Sequence, residues 1–307
     1  MAEHSPHEVR RAIGFAVASI FFFTAMTAVV KWISGHGYAA TQVAFFRAAF
    51  ALVLSVPILL VQVGPSGFRT SQRWGFAFRG LIGVFGTVLC FYGMAHLPLA
   101  DAVAIAFTIP LWVTTLSAPV LGERVGLSRW AAVLSGFAAI LIIVPPTGDA
   151  PLVPALAAIL GNGLIGLAVV LMRRLNATDR AQTIVFYYML ALTIGSAALA
   201  PIDWRTPTTA EDWFGLAAVG VLAGLAHTML THAYRHAPAA VVAPFDYTGI
   251  IWALLFGYLF WGEQPDLNFY LGAVILIGCG LYVLYSEGRD RRVDNPVVNA
   301  RSPSSSD

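Results

Sequence analysis

One pattern recurs in this chain at a fixed offset, and no other feature limits its possible folds as much. Residues 91–123 read FYGMAHLPLADAVAIAFTIPLWVTTLSAPVLGE, and residues 231–263 read THAYRHAPAAVVAPFDYTGIIWALLFGYLFWGE. His96 falls on His236, Pro98 on Pro238, Ala100 on Ala240, Trp112 on Trp252 and Gly122-Glu123 on Gly262-Glu263. The chain therefore reads as a tandem duplication. Each copy sits in an apolar half with five runs of membrane length. Five is odd, so the second half must cross the bilayer in the opposite sense to the first, an inverted repeat of the kind found in secondary transporters.

The ten runs are 12–33, 41–62, 74–95, 99–120, 128–145, 152–172, 182–200, 213–234, 239–260 and 267–285, separated by short Gly, Pro and charged punctuation. Most approach the roughly 20 residues that a helix needs to cross a hydrocarbon core about 30 Å thick. Only 11% of the residues are charged and 58% are apolar, where soluble domains carry about 25% charge. The runs are apolar on all sides, whereas a transmembrane barrel alternates every second residue, so all-α integral membrane is the expected fold class. The expected organisation is a tail at 1–11, a five-helix repeat at 12–145, a second at 152–285 and a disordered polar tail at 286–307. The first run is too long for a cleaved signal peptide and has no convincing small-residue cleavage site.

The positive charges test this arrangement. Of 18 Lys and Arg residues, Lys31, Arg47 and Arg79 fall inside predicted helices, Arg205 alone falls on one face, and all the others fall on the second face. A missed or invented helix would scramble every later loop. Both termini are therefore expected on the cytoplasmic side of a bacterial inner membrane, with lipid around the chain. The net charge of +2 sums a positive inner face and a more acidic outer one, so no nucleic-acid partner is implied. Cys90 and Cys279 lie in predicted helices as small apolar residues, and no metal-ligand spacing occurs.

Two apparent motifs carry no chemistry. Gly161-Asn162-Gly163-Leu164-Ile165-Gly166 satisfies G-x-G-x-x-G, but no strand precedes it and it lies within an apolar run, so close helix packing explains it better. No G-x-x-x-x-G-K-[ST] sequence exists, which excludes a P-loop pump.

The candidate site is formed by polar and interrupted positions within helices, because an ionisable side chain inside a bilayer is costly and usually faces the bundle interior. Asp246 is the only acid well inside a predicted helix, and Pro244 two residues earlier removes a backbone donor and favours a local break. Pro110 stands in the equivalent helix of the first half, and paired broken helices point to a central site. Arg47 lies about six residues, or about 9 Å, from the outer end of its helix, deep enough to face a cavity. Lys31 lies nearer a helix end, where snorkelling competes with solute contact. His227 suits either a proton relay or ordinary interhelical bonding. Tyr92, Phe107, Trp112, Tyr187, Tyr188, Tyr247 and Trp252 are candidate pocket walls, with core or lipid packing the alternative for each. No nucleophile, base and orienting group share one depth, so an enzyme is not expected.

These segments resemble the EamA-type members of the drug/metabolite transporter superfamily. The resemblance is carried by Leu-Pro-Leu-Ala-Asp-Ala at 97–102 and Ala-Pro-Ala-Ala-Val-Val at 237–242, each followed by a long helix ending in Gly-Glu, and by Phe-Phe-Arg at 45–47. It covers about residues 12–285. It implies ten helices, a central cavity built mainly from helices 1, 3, 4, 6, 8 and 9, and alternating access without a cofactor; separately, the working unit is expected to be a monomer. It further implies export of small metabolites, amino acids being the best-known class, as in YddG-like exporters. Other amphiphilic metabolites, such as a nucleoside, a nucleotide sugar, S-adenosylmethionine or a cationic drug, remain the alternative. Under the offset Arg47 meets Tyr187 or Tyr188 and Asp246 meets Ala106, so the halves offer one solute different chemistry.

Overall fold

The structure is a computed structural model and describes residues 6–70, 72–122, 125–145, 151–175, 180–237 and 239–293. Its helices are α1 (Pro6–Gly35), α2 (Ala40–Gln62), α3 (Arg73–His96), α4 (Leu99–Ala106), α5 (Ile109–Leu121), α6 (Leu127–Ile143), α7 (Leu152–Leu175), α8 (Ala181–Leu199), α9 (Ala210–His236), α10 (Ala239–Val242), α11 (Gly249–Trp261) and α12 (Leu267–Val293). Among the described residues, nine helical segments of 18 residues or more are apolar enough to cross a membrane, and α6 is a shorter apolar helix. At 1.5 Å per residue the 17 residues of α6 reach about 26 Å, close to a hydrocarbon core. A helix satisfies every interior backbone group within itself, which is why apolar sequence of this kind crosses lipid in this form.

The packing repeats the duplication. Helix α1 lies against α9, and its counterpart pair under the offset, α7 against α3, is equally intimate. Two further contacts join equivalent helices to each other, α2 to α8 and α6 to α12, and α4 of the first half also meets α11 of the second. That pattern is what a two-fold relation between the halves produces. Finer details agree with it. Nδ1 of His96 bonds the Tyr92 carbonyl at 2.8 Å, and Nδ1 of His236 bonds the His232 carbonyl at 2.7 Å. Gly122 and Gly262 end α5 and α11 at φ of 72° and 65°, a left-handed backbone that glycine alone adopts cheaply.

Both central helices are interrupted. The chain leaves α geometry at Phe107 and Thr108, just ahead of Pro110, and Ala243–Thr248, which contains Pro244, is a 3₁₀ stretch between α10 and α11. Proline cannot donate to the carbonyl four residues back and crowds it, so the preceding turn opens. Equivalent threonines cap the two breaks: Oγ1 of Thr108 donates to Ile105 O at 2.7 Å, and Oγ1 of Thr248 donates to Phe245 O at 2.7 Å. At the break of the first half, Asn162 of α7, from the second half, also donates to Ile105 O at 3.0 Å and accepts from Sγ of Cys90 at 3.1 Å. Asn162 is 3% exposed, so Asn162→Leu strands buried polar groups at about 1–3 kcal/mol. The detergent-solubilised variant should melt roughly 3–8 °C lower, measured by heating followed by size-exclusion chromatography.

The glycines of the G-x-G-x-x-G run serve packing. A Cβ on Gly161 would lie 2.8 Å from the Cys90 backbone nitrogen and the Gly86 carbonyl oxygen, and Gly163 and Gly166 lie against Trp112. The tails differ from expectation. Helix α1 already begins at Pro6, and α12 continues to Val293, past the boundary at 286 where disorder was expected. Extending an existing helix fixes one residue per added hydrogen bond without a new nucleus, and no proline intervenes before Pro296. The Ser/Pro-rich ending lies outside the described residues.

Candidate functional site

Helices α1, α3, α9 and α12 and the two interrupted crossings, α4–α5 and α10–α11, converge on a cavity of about 450 Å³. Phe23, Thr24 and Thr27 of α1 form one wall, Met94 of α3 another, and Val103, Phe107 and Pro110 of the broken α4–α5 crossing a third. Tyr234 of α9, Leu284 of α12, and Ala243, Asp246 and Tyr247 of the 3₁₀ stretch complete it. The breaks explain why backbone and a carboxylate reach the cavity here: an unbroken helix would project only a stripe of side chains. Asp246 Oδ1 is buried without a hydrogen-bond partner among the described residues, so the protein leaves this acceptor unpaired at the cavity wall. Tyr234 and Tyr247 both lie within its electrostatic range.

Phe107 and Tyr247 are 140 positions apart and touch, with ring centroids 4.9 Å apart. Two equivalent residues in contact must straddle the axis that relates the halves, so the cavity sits beside that axis. Ala106 and Asp246, one residue before each ring, both line it. One half contributes a methyl group and the other a carboxylate.

Of the positions singled out from sequence, the structure brings Asp246, Tyr247, Phe107 and Pro110 into this cavity, with Pro244 in the same 3₁₀ stretch. Arg47 forms a second polar station. Its Nε is buried without a partner among the described residues, its guanidinium carbon lies 5.8 Å from the Phe91 ring centre, and it is within electrostatic range of Tyr188 and His227. The His227 ring meets Phe23 edge-on at 5.0 Å, and Phe23 belongs to the cavity wall, so the path from Arg47 to the cavity runs by way of His227 and Phe23. Tyr188 also covers the Arg79 guanidinium at 4.0 Å and fills the space beside Gly83.

The remaining candidates lie elsewhere. Tyr187 donates to Phe68 O at 2.7 Å and stacks on Phe76, tying α8 to the connection between α2 and α3. Tyr92 lies on His96 at the end of α3, with centroids 4.4 Å apart. Trp112 packs on Gly163, Gly166 and Phe137, and Trp252 on Phe21, each away from this cavity. Lys31 has a protein partner, since it forms an ion pair with Glu263 and donates to Leu97 O at 2.7 Å. Sequence reasoning did not single out Phe23, Thr24 or Tyr234. Their helices are apolar on every side, so no stripe marks the face that turns inward. The available signal for Thr24 was a polar residue at mid-span.

An all-helical, membrane-crossing bundle with two-fold related halves and a central cavity defines the class: a multi-pass membrane transporter of small metabolites. The EamA-like transporter family model matches residues 10–144 and again 152–286, and the chain belongs to that family. It is 33% identical to the pseudopaline exporter CntI of Pseudomonas aeruginosa, over 88% of this chain and 95% of that one. It is 32% identical to a riboflavin transporter of Rhizobium johnstonii, over 88% and 89%, and 26% identical to an S-adenosylmethionine uptake transporter of Rickettsia bellii, over 90% and 94%. A solved crystal structure with 18% identity superposes at a TM-score of 0.62, covering 92% of this chain and 99% of the other, a likeness of fold.

Proposed function

We propose that this chain is a secondary transporter that exports an amphiphilic, amino-acid-type metabolite across the bacterial inner membrane by alternating access, with both termini cytoplasmic and the monomer as the working unit. The observation that carries this reading is Asp246, whose Oδ1 has no hydrogen-bond partner among the described residues, on a broken helix at the wall of an otherwise largely apolar cavity. A carboxylate in such surroundings is stabilised by a bound cation or donor, and an ammonium group supplies both. Phe23, Phe107 and Tyr247 offer apolar area to the body of the solute, and Arg47, beyond Phe23, suits its carboxylate. The excess of arginine on one set of loops supports the orientation.

A second reading keeps the mechanism and changes the cargo. About 450 Å³ falls within the range of drug-sized sites, and relatives bear the names riboflavin and S-adenosylmethionine transporter, so a larger cationic or heteroaromatic metabolite is the alternative. Counterflow in proteoliposomes separates the two, using labelled zwitterionic amino acids, riboflavin and S-adenosylmethionine, with and without an imposed pH gradient. Saturable amino-acid exchange, with KM raised about tenfold or more in Arg47→Ala, supports the first reading. Exchange confined to riboflavin or S-adenosylmethionine moves the assignment to the second, and amino-acid flux equal in parent, Arg47→Ala and Asp246→Asn proteins contradicts the first.

A further inference from the structure

Lys31 and Glu263 lie 232 residues apart in sequence and meet at the end of the bundle away from the N-terminus of α1. The glutamate uses both oxygens: Oε1 pairs with Nζ of Lys31, and Oε2 accepts from the Leu99 backbone N–H at 2.7 Å. The lysine uses a second donor on Leu97 O at 2.7 Å and lies 5.2 Å from the Trp261 ring centre. The side chains of Lys31 and Glu263 are 13% and 17% exposed. Four segments are thereby joined: α1, the turn between α3 and α4, the first turn of α4, and the residues after α11. The left-handed Gly262 turns Glu263 back over α11, where its carboxylate lies against Gly257. Asp101 of α4 lies within electrostatic range of both charges.

The position of this cluster relative to the cavity gives it a role. Lys31 is four residues beyond Thr27, Leu97 three beyond Met94, and Leu99 four before Val103; Thr27, Met94 and Val103 all line the cavity. On three separate segments the cluster stands one helical turn, about 5 Å, above the cavity wall. At the other end the lining reaches Tyr234 and Leu284, each two residues from the end of its membrane-spanning segment at His236 and Ser286. The cavity is thus capped on one side and extends to the other.

We propose that the Lys31–Glu263 pair is the latch of the gate on the face opposite the termini, and that a solute leaves by that face only when the pair separates. The inference rests on the carrier reading above. Glu263 binds the ends of α11 and α4 to α1 through one charge and one backbone N–H, so loss of the charge frees the far ends of all three at once. The offset places Leu171 opposite Lys31, so the lysine of the latch has no copy at the equivalent position of the second half.

The test needs no solute, which separates its failure from failure of the assigned cargo. Full-length protein carrying Met94→Cys in a background of Cys90→Ala and Cys279→Ala is reconstituted, and a membrane-impermeant maleimide is applied to one face at a time. Lys31→Met removes the charge and keeps the apolar stem, and Glu263→Gln keeps an oxygen for Leu99. A charge-assisted pair contributes enough that its loss should raise labelling from the face opposite the termini by roughly ten- to a hundredfold. Labelling from the face of the termini should fall at the same time. That reciprocal change in either variant supports the latch. Labelling that rises from both faces, or stays within about twofold of the parent from the far face, overturns it.

Discussion

Asp246→Asn should lower saturable flux of the transported solute about ten- to a hundredfold and leave the protein folded. Asparagine has the same shape, so the cavity keeps its form, and what is lost is the charged acceptor. A hydrogen bond to a charged group contributes about 1.5–3 kcal/mol, and each 1.4 kcal/mol corresponds to about tenfold. Since Oδ1 has no partner among the described residues, little stability depends on it, and the melting temperature should move by less than about 2 °C. The loss should appear mainly as a raised KM with a cationic solute, the mark of an interaction made in the bound state. A packing lock would give the opposite pair of results: a large drop in melting temperature with flux per folded molecule unchanged. Initial rates in proteoliposomes, normalised to monodisperse protein, distinguish them.

Gly161→Leu should abolish most of the folded protein. The added Cβ would stand 2.8 Å from the backbone nitrogen of Cys90 and the carbonyl oxygen of Gly86, and backbone in the middle of two packed helices cannot move aside as a side-chain tip can. Overpacking of this kind costs about 1–3 kcal/mol or more, and here it falls on the α3–α7 contact, which positions Met94 and the Asn162 brace together. The monodisperse fraction after detergent extraction should fall about tenfold. Gly278→Leu is the internal comparison, because nothing lies within 4 Å of a Cβ at that position. Its yield should match the parent.

How much of this was legible in the sequence follows from what the sequence encodes. The helical class and the two-repeat plan were readable because duplication keeps identities at a fixed spacing, and His96/His236 and Gly122/Gly262 still make equivalent bonds and turns. Asp246 stood out because a lone acid in an apolar helix has few cheap explanations. Aromatic positions were much harder to sort. Tyr247 lines the cavity while Tyr187 ties a loop and Trp112 covers glycines, yet all three sit in helices whose faces look alike in composition. The partner of Lys31 was hidden for a different reason. Ion pairing depends on where chain ends meet in space, and Glu263 looked like the end of a repeated motif until the fold set it against α1. Helix ends were hard to place because a charged helix can continue beyond the apolar core, as α12 does to Val293.

The inverted relation of the halves is tested most directly by two single cysteines at equivalent positions, His96→Cys and His236→Cys, in full-length protein lacking Cys90 and Cys279, each probed from one face of a sealed membrane at a time. Five crossings separate the two sites, so position 96 should react only from the face opposite the termini and position 236 only from the face of the termini. Reaction of both from the same face would show that the halves are parallel copies, and the shared central cavity would lose its basis.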